Sequence, residues 1–215
     1  MLKIDYDILE YPFEDIVCDW LETDNLSKIH EFKQYKLFKR TNDQSTMWHK
    51  MFYNQIRVDS RFDDIYVRFL KEYIKPRYNN EELMYQKIPT FRVHLPDNIS
   101  VGEFHKDKSY RNTEWAEKVQ EVNYFLPFTK AYGTNTVWAE TEEDKGDFQE
   151  IRADYGECVE WSATNLTHGN KVNRTSSTRV SMDFRVIPKS RYVGSDHLTI
   201  NANIPFKVGG YYEVI

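Results

Sequence analysis

Residues 177–186 read Ser-Thr-Arg-Val-Ser-Met-Asp-Phe-Arg-Val, and from Arg179 onward polar and apolar side chains alternate without a break. In a strand, successive side chains point to opposite faces. Val180, Met182, Phe184 and Val186 thus share one face, and Arg179, Ser181, Asp183 and Arg185 the other. A chain holding this strand must cover the apolar row with a core and find a use for the charged row. A polar row of this kind is most often solvated. Arg179 supports a second use, because it follows His168 by eleven residues. A guanidinium matches a carboxylate through two parallel bonds, and the Ser181 hydroxyl adds a donor. A carboxylate drawn into a partly closed barrel needs such a partner, since an unpaired buried charge is costly. Asp183 and Arg185 are expected to pair with each other or with neighbouring strands, in a structural role.

The rest of the chain has two textures. Up to about Tyr85 the apolar spacing is helical. One helix is expected from a cap at Asn25 or Asp24 through Leu26, Ile29, Phe32 and Lys33. A second contains Met47, Met51, Phe52 and Ile56 and is entered from Asp43 to Thr46. A third runs from about Ser60 to Ile74, with Pro76 as its stop. From Leu83 onward, short β patterns alternate with turn residues. They are Tyr85 to Leu95 (with Pro89 at an edge or bulge), Ile99 to Phe104, Val119 to Phe128 and Thr136 to Glu142. Phe148 to Arg152, Glu157 to Ser162 and Thr178 to Ile187 complete them. Gly209-Gly210 marks a turn or hinge, and the segment from Tyr192 is expected to fold back as an arm or lid. Helices followed by seven or eight strands predict a mainly β fold, a sandwich or barrel with helices packed outside. The 215 residues suit a single domain. Its parts are a mostly helical support over 1–84, a β core over 85–190 and an arm over 191–215.

Composition narrows the function. A net charge of −5 does not favour wholesale nucleic-acid binding. The local excess of Lys and Arg from Lys171 to Arg191 reads either as a solvated stretch or as a basic cavity for an anion. No apolar run approaches a membrane span, and acidic residues stand near the start where a signal peptide needs an apolar core. A cytoplasmic protein is expected. Cys18 and Cys158 suggest no disulfide framework, and Cys158 reads as a buried free thiol.

The chemistry concentrates at His105-Lys106-Asp107. If the preceding strand continues through it, His105 and Asp107 project from one face. The distant His168, in Asn165-Leu166-Thr167-His168-Gly169-Asn170, can supply a third ligand. Two neutral imidazoles and a carboxylate suit Fe(II) and several other divalent ions. His30, His49, His94 and His197 lack such a context.

His105-x-Asp107, His168 and Arg179-x-Ser181, in this order, resemble the signature of the Fe(II)- and 2-oxoglutarate-dependent dioxygenases. Four runs are similar to a narrower group, the small oxygenases of the streptomycin-biosynthesis type that are also met as phage-like proteins. They are Val-Gly-Glu-Phe-His-Lys-Asp (101–107), Glu-Val-Asn-Tyr-Phe-Leu-Pro (121–127), Asn-Thr-Val-Trp-Ala-Glu (135–140) and His-Gly-Asn (168–170). The resemblance covers about Gln86 to Pro188. It implies a double-stranded β-helix, the cupin-like jelly roll, as the core. It also implies His105, Asp107 and His168 as iron ligands. Arg179, helped by Ser181, would hold the distal carboxylate of 2-oxoglutarate, and Asn123 would donate to the same co-substrate. Arg92, Tyr110 (in a lid loop through Trp115) and Trp138 are the candidate substrate contacts, with Gln86 beside Arg92; Asn123 and Trp138 read equally as core residues, and Arg92 and Gln86 as a polar outward face. The retained Asp107 favours oxygenation over halogenation, because related halogenases typically carry a small residue there. The expected reaction is hydroxylation, with O2, of a small polar metabolite or a peptide residue. The alternatives are a cupin-type metal-dependent isomerase or lyase without 2-oxoglutarate, and a non-catalytic binding jelly roll.

Overall fold

The computed structural model describes residues 1–32, 46–100, 103–200 and 202–215. The chain opens with strand β1 (Leu2–Asp5) and helix α1 (Phe13–Trp20), then a 3-10 turn at Leu26–Glu31. Helices α2 (Met47–Gln55) and α3 (Ser60–Phe69) follow. Strands β2 (Leu83–Gln86) and β3 (Thr90–His94) come next, then a 3-10 turn at Asp107–Tyr110 and helix α4 (Thr113–Val119). The remaining strands are β4 (Val122–Pro127), β5 (Val137–Ala139), β6 (Gln149–Glu150) and β7 (Glu157–Trp161). Last come β8 (His168–Asn170), β9 (Arg179–Pro188) and β10 (Tyr212–Val214).

The alternating run becomes β9, the organiser of a seven-stranded antiparallel sheet ordered β1-β7-β4-β9-β2-β10, with β3 also on β9. The expected strand from Tyr85 to Leu95 is two strands laid end to end along one edge of β9. β3 pairs with residues 179–183 and β2 with residues 186–188. Pro89 lies in the break, consistent with its missing ladder donor. A three-stranded sheet ordered β6-β5-β8 packs on the polar-row side, where Phe125, Val159 and Trp161 of the large sheet meet Val137 and Ala139.

The apolar row of β9 is fully buried against the helices. In α3, Phe62, Tyr66 and Phe69 fall on one face and enter this core, and the Asp59 side chain caps the helix at Arg61 N. Tyr66 meets Phe184 edge-on at 5.4 Å, and Tyr124 stacks on Phe184 at 5.1 Å. Phe52 of α2 stacks on Phe91 of β3 at 4.2 Å. Each such ring contributes about 2 to 3 kcal/mol through burial.

Several expectations change. The third helix does not stop at Pro76. It widens into a π turn at Leu70–Ile74 and closes as a 3-10 turn at Lys75–Tyr78, whose first positions tolerate proline. The first expected helix is only the 3-10 turn capped by Asn25, and Lys33 lies outside the described residues. Thr46 caps α2, whereas Asp43 lies outside them. The sequence reading missed β1 and α1. Ile99 to Phe104 is not a strand among its described residues, and Val101 and Gly102 lie outside them. Asp97 and Ser100 adopt left-handed conformations that break an extended path. Val119 ends α4, not a strand, and left-handed Gln120 turns the chain into β4. The segment from Tyr192 does return to the body, adding β10 to the edge of β2. Among the described residues, no helix is long and apolar enough to cross a membrane.

Candidate metal centre

His168 opens β8 opposite Ala139 of β5. His105 makes a two-way bridge with it, His105 N to His168 O at 2.8 Å and His168 N to His105 O at 2.9 Å. Gly169 permits this approach. A Cβ there would lie 2.8 Å from the Phe104 ring and 3.1 Å from Phe104 Cα. Asp107 is not the next residue on a shared strand face, as the sequence suggested. Its N–H donates to Ala163 O at 2.9 Å, and it begins the 3-10 turn. The turn swings its carboxylate back toward both rings.

Asp107 Oδ1 lies 3.6 Å from His105 Nε2 and 3.6 Å from His168 Nε2. The three ligand atoms lie within 4.8 Å of one another, and among the described residues no other group of three potential ligands is so placed. His105 Nδ1 is 2.6 Å from Glu103 O, and His168 Nδ1 is 2.9 Å from Leu166 O. A neutral ring that donates from Nδ1 presents the Nε2 lone pair inward. The donor set therefore fits a divalent ion of the Fe(II) type.

The outer oxygen of Asp107 is also held. Arg185 donates to Oδ2 from Nη2 at 2.8 Å and from Nε at 3.3 Å, and Arg111 Nη2 stands 3.9 Å away. Burial alone pushes the Asp107 carboxyl up. Arg185, the two histidines and Arg111 outweigh that and hold it well below the usual carboxylate range. Burial also disfavours charge on both rings. At His105 the neighbouring Asp107 carboxylate outweighs burial and raises its pKa, whereas at His168 burial prevails and lowers it.

The polar row of β9 lies on the side of this centre. Arg179, 1% exposed, donates from Nε to Asn135 O at 2.9 Å and from Nη1 to Ser181 Oγ at 2.6 Å. Its Nη2 is 3.4 Å from Asn170 Oδ1, two residues past His168. The register sets Arg92 opposite Ser181 and Asn123 opposite Arg185. Arg92 Nε donates to Asp183 Oδ1 at 3.2 Å. Among the described residues, the buried Arg92 Nη1 and Asn123 Oδ1 have no hydrogen-bond partner. Gln86 Oε1 is 3.4 Å from Arg185 Nη1. The Tyr110 ring meets the His105 ring edge-on at 4.8 Å and is 53% exposed.

Trp138 is not brought to the cluster. Ala139 pairs with His168, so Trp138, one residue earlier on β5, points to the opposite face. There its Nε1 donates to Gly133 O at 2.8 Å, and Lys171 Nζ sits 3.0 Å from its ring centre. Asp183 does face Arg185, at 3.8 Å, and Arg92 of the neighbouring strand at 3.2 Å, as expected, but the hold of Arg185 on Asp107 and the place of Arg111 beside it were not read from the sequence. The signal was present for Arg185, because a charge on a strand this apolar needs a counterion. Its partner lies 78 residues away.

Two packed antiparallel sheets and a buried cluster of two histidines and one carboxylate define a mainly β protein with a candidate metal centre. Over 214 residues, 99% of this chain and 98% of the relative, the sequence is 34% identical to the streptomycin biosynthesis protein StrG of Streptomyces griseus. The chain belongs to the StrG family. No family model matches it. Among solved structures, the non-haem monooxygenase ThoJ in its nickel complex aligns with 90% of this chain and 77% of its own, at 12% identity and a TM-score of 0.48. Apo ThoJ aligns with 95% and 84% at 12% identity and 0.46, and EvdMO1 with 87% and 47% at 11% identity and 0.42.

Proposed function

We propose that the protein is an Fe(II)- and 2-oxoglutarate-dependent oxygenase with a jelly-roll core. It hydroxylates a small polar metabolite or a peptide residue in the cytoplasm. The observation that carries this reading is the convergence of His105 Nε2, His168 Nε2 and Asp107 Oδ1, each with its remote atom pinned by the protein. The description of StrG as a biosynthesis protein supports a small-molecule substrate.

His105, Asp107 and His168 would hold the metal. Arg179 and Ser181 would hold the distal carboxylate of 2-oxoglutarate, in a buried setting where ionic bonds are stronger than in water. Asn123, buried on β4, would donate to the same co-substrate through its side-chain amide N–H. Fe(II) with 2-oxoglutarate supplies the oxidising power for hydroxylation by dioxygen. The chain's own task is orientation and exclusion of side reactions. Arg92 and Tyr110 are the proposed substrate contacts, and the outward-facing Trp138 is not one.

The test is anaerobic addition of Fe(II) and 2-oxoglutarate. A visible charge-transfer band is expected in the wild type and in His49→Ala, and its loss in His105→Ala. An unaffected His105→Ala would sink the ligand assignment. Succinate release measured across amino acids, sugars, nucleotides and peptides then identifies the substrate class. Tight metal binding without turnover of 2-oxoglutarate would favour the isomerase or lyase reading.

A further inference from the structure

The C-terminal arm reaches the metal centre through two adjacent tyrosines. Gly209 takes a left-handed conformation, and a Cβ on Gly210 would lie 2.7 Å from Pro205 O. The two glycines thus make a turn that a bulkier pair cannot, and it delivers Tyr211-Tyr212 to the edge of β2. There Lys87 N donates to Tyr211 O at 3.0 Å, and Tyr212 pairs with Gln86. Arg185 Nη1 donates to Tyr211 Oη at 3.0 Å, while Nε and Nη2 of the same guanidinium hold Asp107. The Tyr212 hydroxyl donates to Glu121, and Glu121 pairs with Arg111, the other arginine facing Asp107 Oδ2. Arg111 also lies over the Phe206 ring of the arm at 4.7 Å. Each arginine beside Asp107 is therefore braced by one tyrosine of the arm.

We propose that the arm completes the metal centre, with Tyr211 a positioning residue that orients Asp107 by fixing the Arg185 fork. The inference rests on His105, Asp107 and His168 being a metal site. On the side away from Asp107, Arg185 Nη1 is 3.4 Å from Gln86 Oε1 and 3.8 Å from Asp183 Oδ2, both longer than its 3.0 Å bond to Tyr211 Oη, and a fork held only by such long contacts keeps freedom about its stem. The Tyr211 hydroxyl is the shortest partner on that side and narrows that freedom. Direct partners of a ligand, as Arg185 is to Asp107, typically affect metal affinity by about 10- to 100-fold, and Tyr211 one bond further out should act at the low end of that range.

The experiment uses the full chain and Co(II) alone, followed by calorimetry and by the visible d–d band. Tyr211→Phe removes one oxygen and keeps the ring, so its thermal melt should stay near that of the wild type. We expect its Co(II) affinity to fall about 10-fold and its d–d band to change shape. Tyr155→Phe, whose hydroxyl bonds the N-terminal segment at Glu14 N, should match the wild type in both. Arg185→Gln should weaken binding further, and adding Tyr211→Phe to it should cost little more, because the two act as one unit. Wild-type affinity and band shape in Tyr211→Phe would overturn the inference alone. Absence of Co(II) binding by the wild type would overturn the metal site and the inference with it.

Discussion

The two faces of β9 are built from the same ten residues and solve opposite problems. Val180, Met182, Phe184 and Val186 meet aromatic rings from α2, α3 and β4, and their value lies in area removed from water. Arg179 and Arg185 donate to hydroxyl, carbonyl and carboxylate oxygens and Asp183 accepts from Arg92, so the value of this row lies in direction. The comparison teaches that stability and site geometry are separable on this strand. Substitutions on one face should cost folding free energy, and those on the other should cost ligand binding.

The largest effect is expected at the cluster that the polar face of β9 looks onto: His168→Ala, on β8, should abolish detectable Co(II) binding in calorimetry while its urea midpoint stays close to that of the metal-free wild type. Loss of folding there would break the separation. Next, Phe184→Ala on the apolar face should cost about 3 to 5 kcal/mol in urea denaturation, with unchanged Co(II) affinity in the folded fraction. Arg179→Gln should weaken 2-oxoglutarate binding by about 100-fold, roughly 3 kcal/mol, and leave Co(II) affinity alone.

Buried histidines sharpen the comparison through pH. His49 packs against Phe91, and burial, then the Arg92 charge, push it down to about 3. His94 lies opposite Arg179, and burial, then the Arg179 charge, push it down to about 4. Both values lie below the ordinary 6.5, so the unfolded chain binds more protons in between. Stability is full above about pH 6.5 and falls as the pH drops toward the folded values. The loss is about 2 kcal/mol per histidine at pH 5. His49→Gln should remove one such share from the urea-midpoint slope of the metal-free protein between pH 7 and 5. The smallest effect belongs to the outward-facing Trp138. Lys171→Ala should cost about 1 kcal/mol or less and leave metal binding unchanged.

Much of the site could be read in the sequence because its parts are local patterns. The alternation of residues 179–186 survives in β9, and Arg179 and Ser181 share a face and a hydrogen bond. His105, Asp107 and His168 converge, although by another route than the one read. A strand through His105 to Asp107 gave a plausible shared face, yet the carboxylate arrives through a 3-10 turn anchored on Ala163. Trp138 shows the opposite case, open between cavity and core from the sequence alone. Its place on a β pattern was legible, but which of two faces turns inward depends on pairing with β8.

The sequence by itself determined the donor types, the polar and apolar rows of β9 and the glycines at 169 and 209–210. Those properties follow from periodicity and backbone sterics within a few residues. Only the tertiary structure decided that Arg185 holds Asp107, that Arg111 stands beside it and that Tyr211 and Tyr212 brace both. Such contacts join segments far apart in the chain. Their partners are chosen by burial and charge pairing across the folded core, for which no local pattern exists.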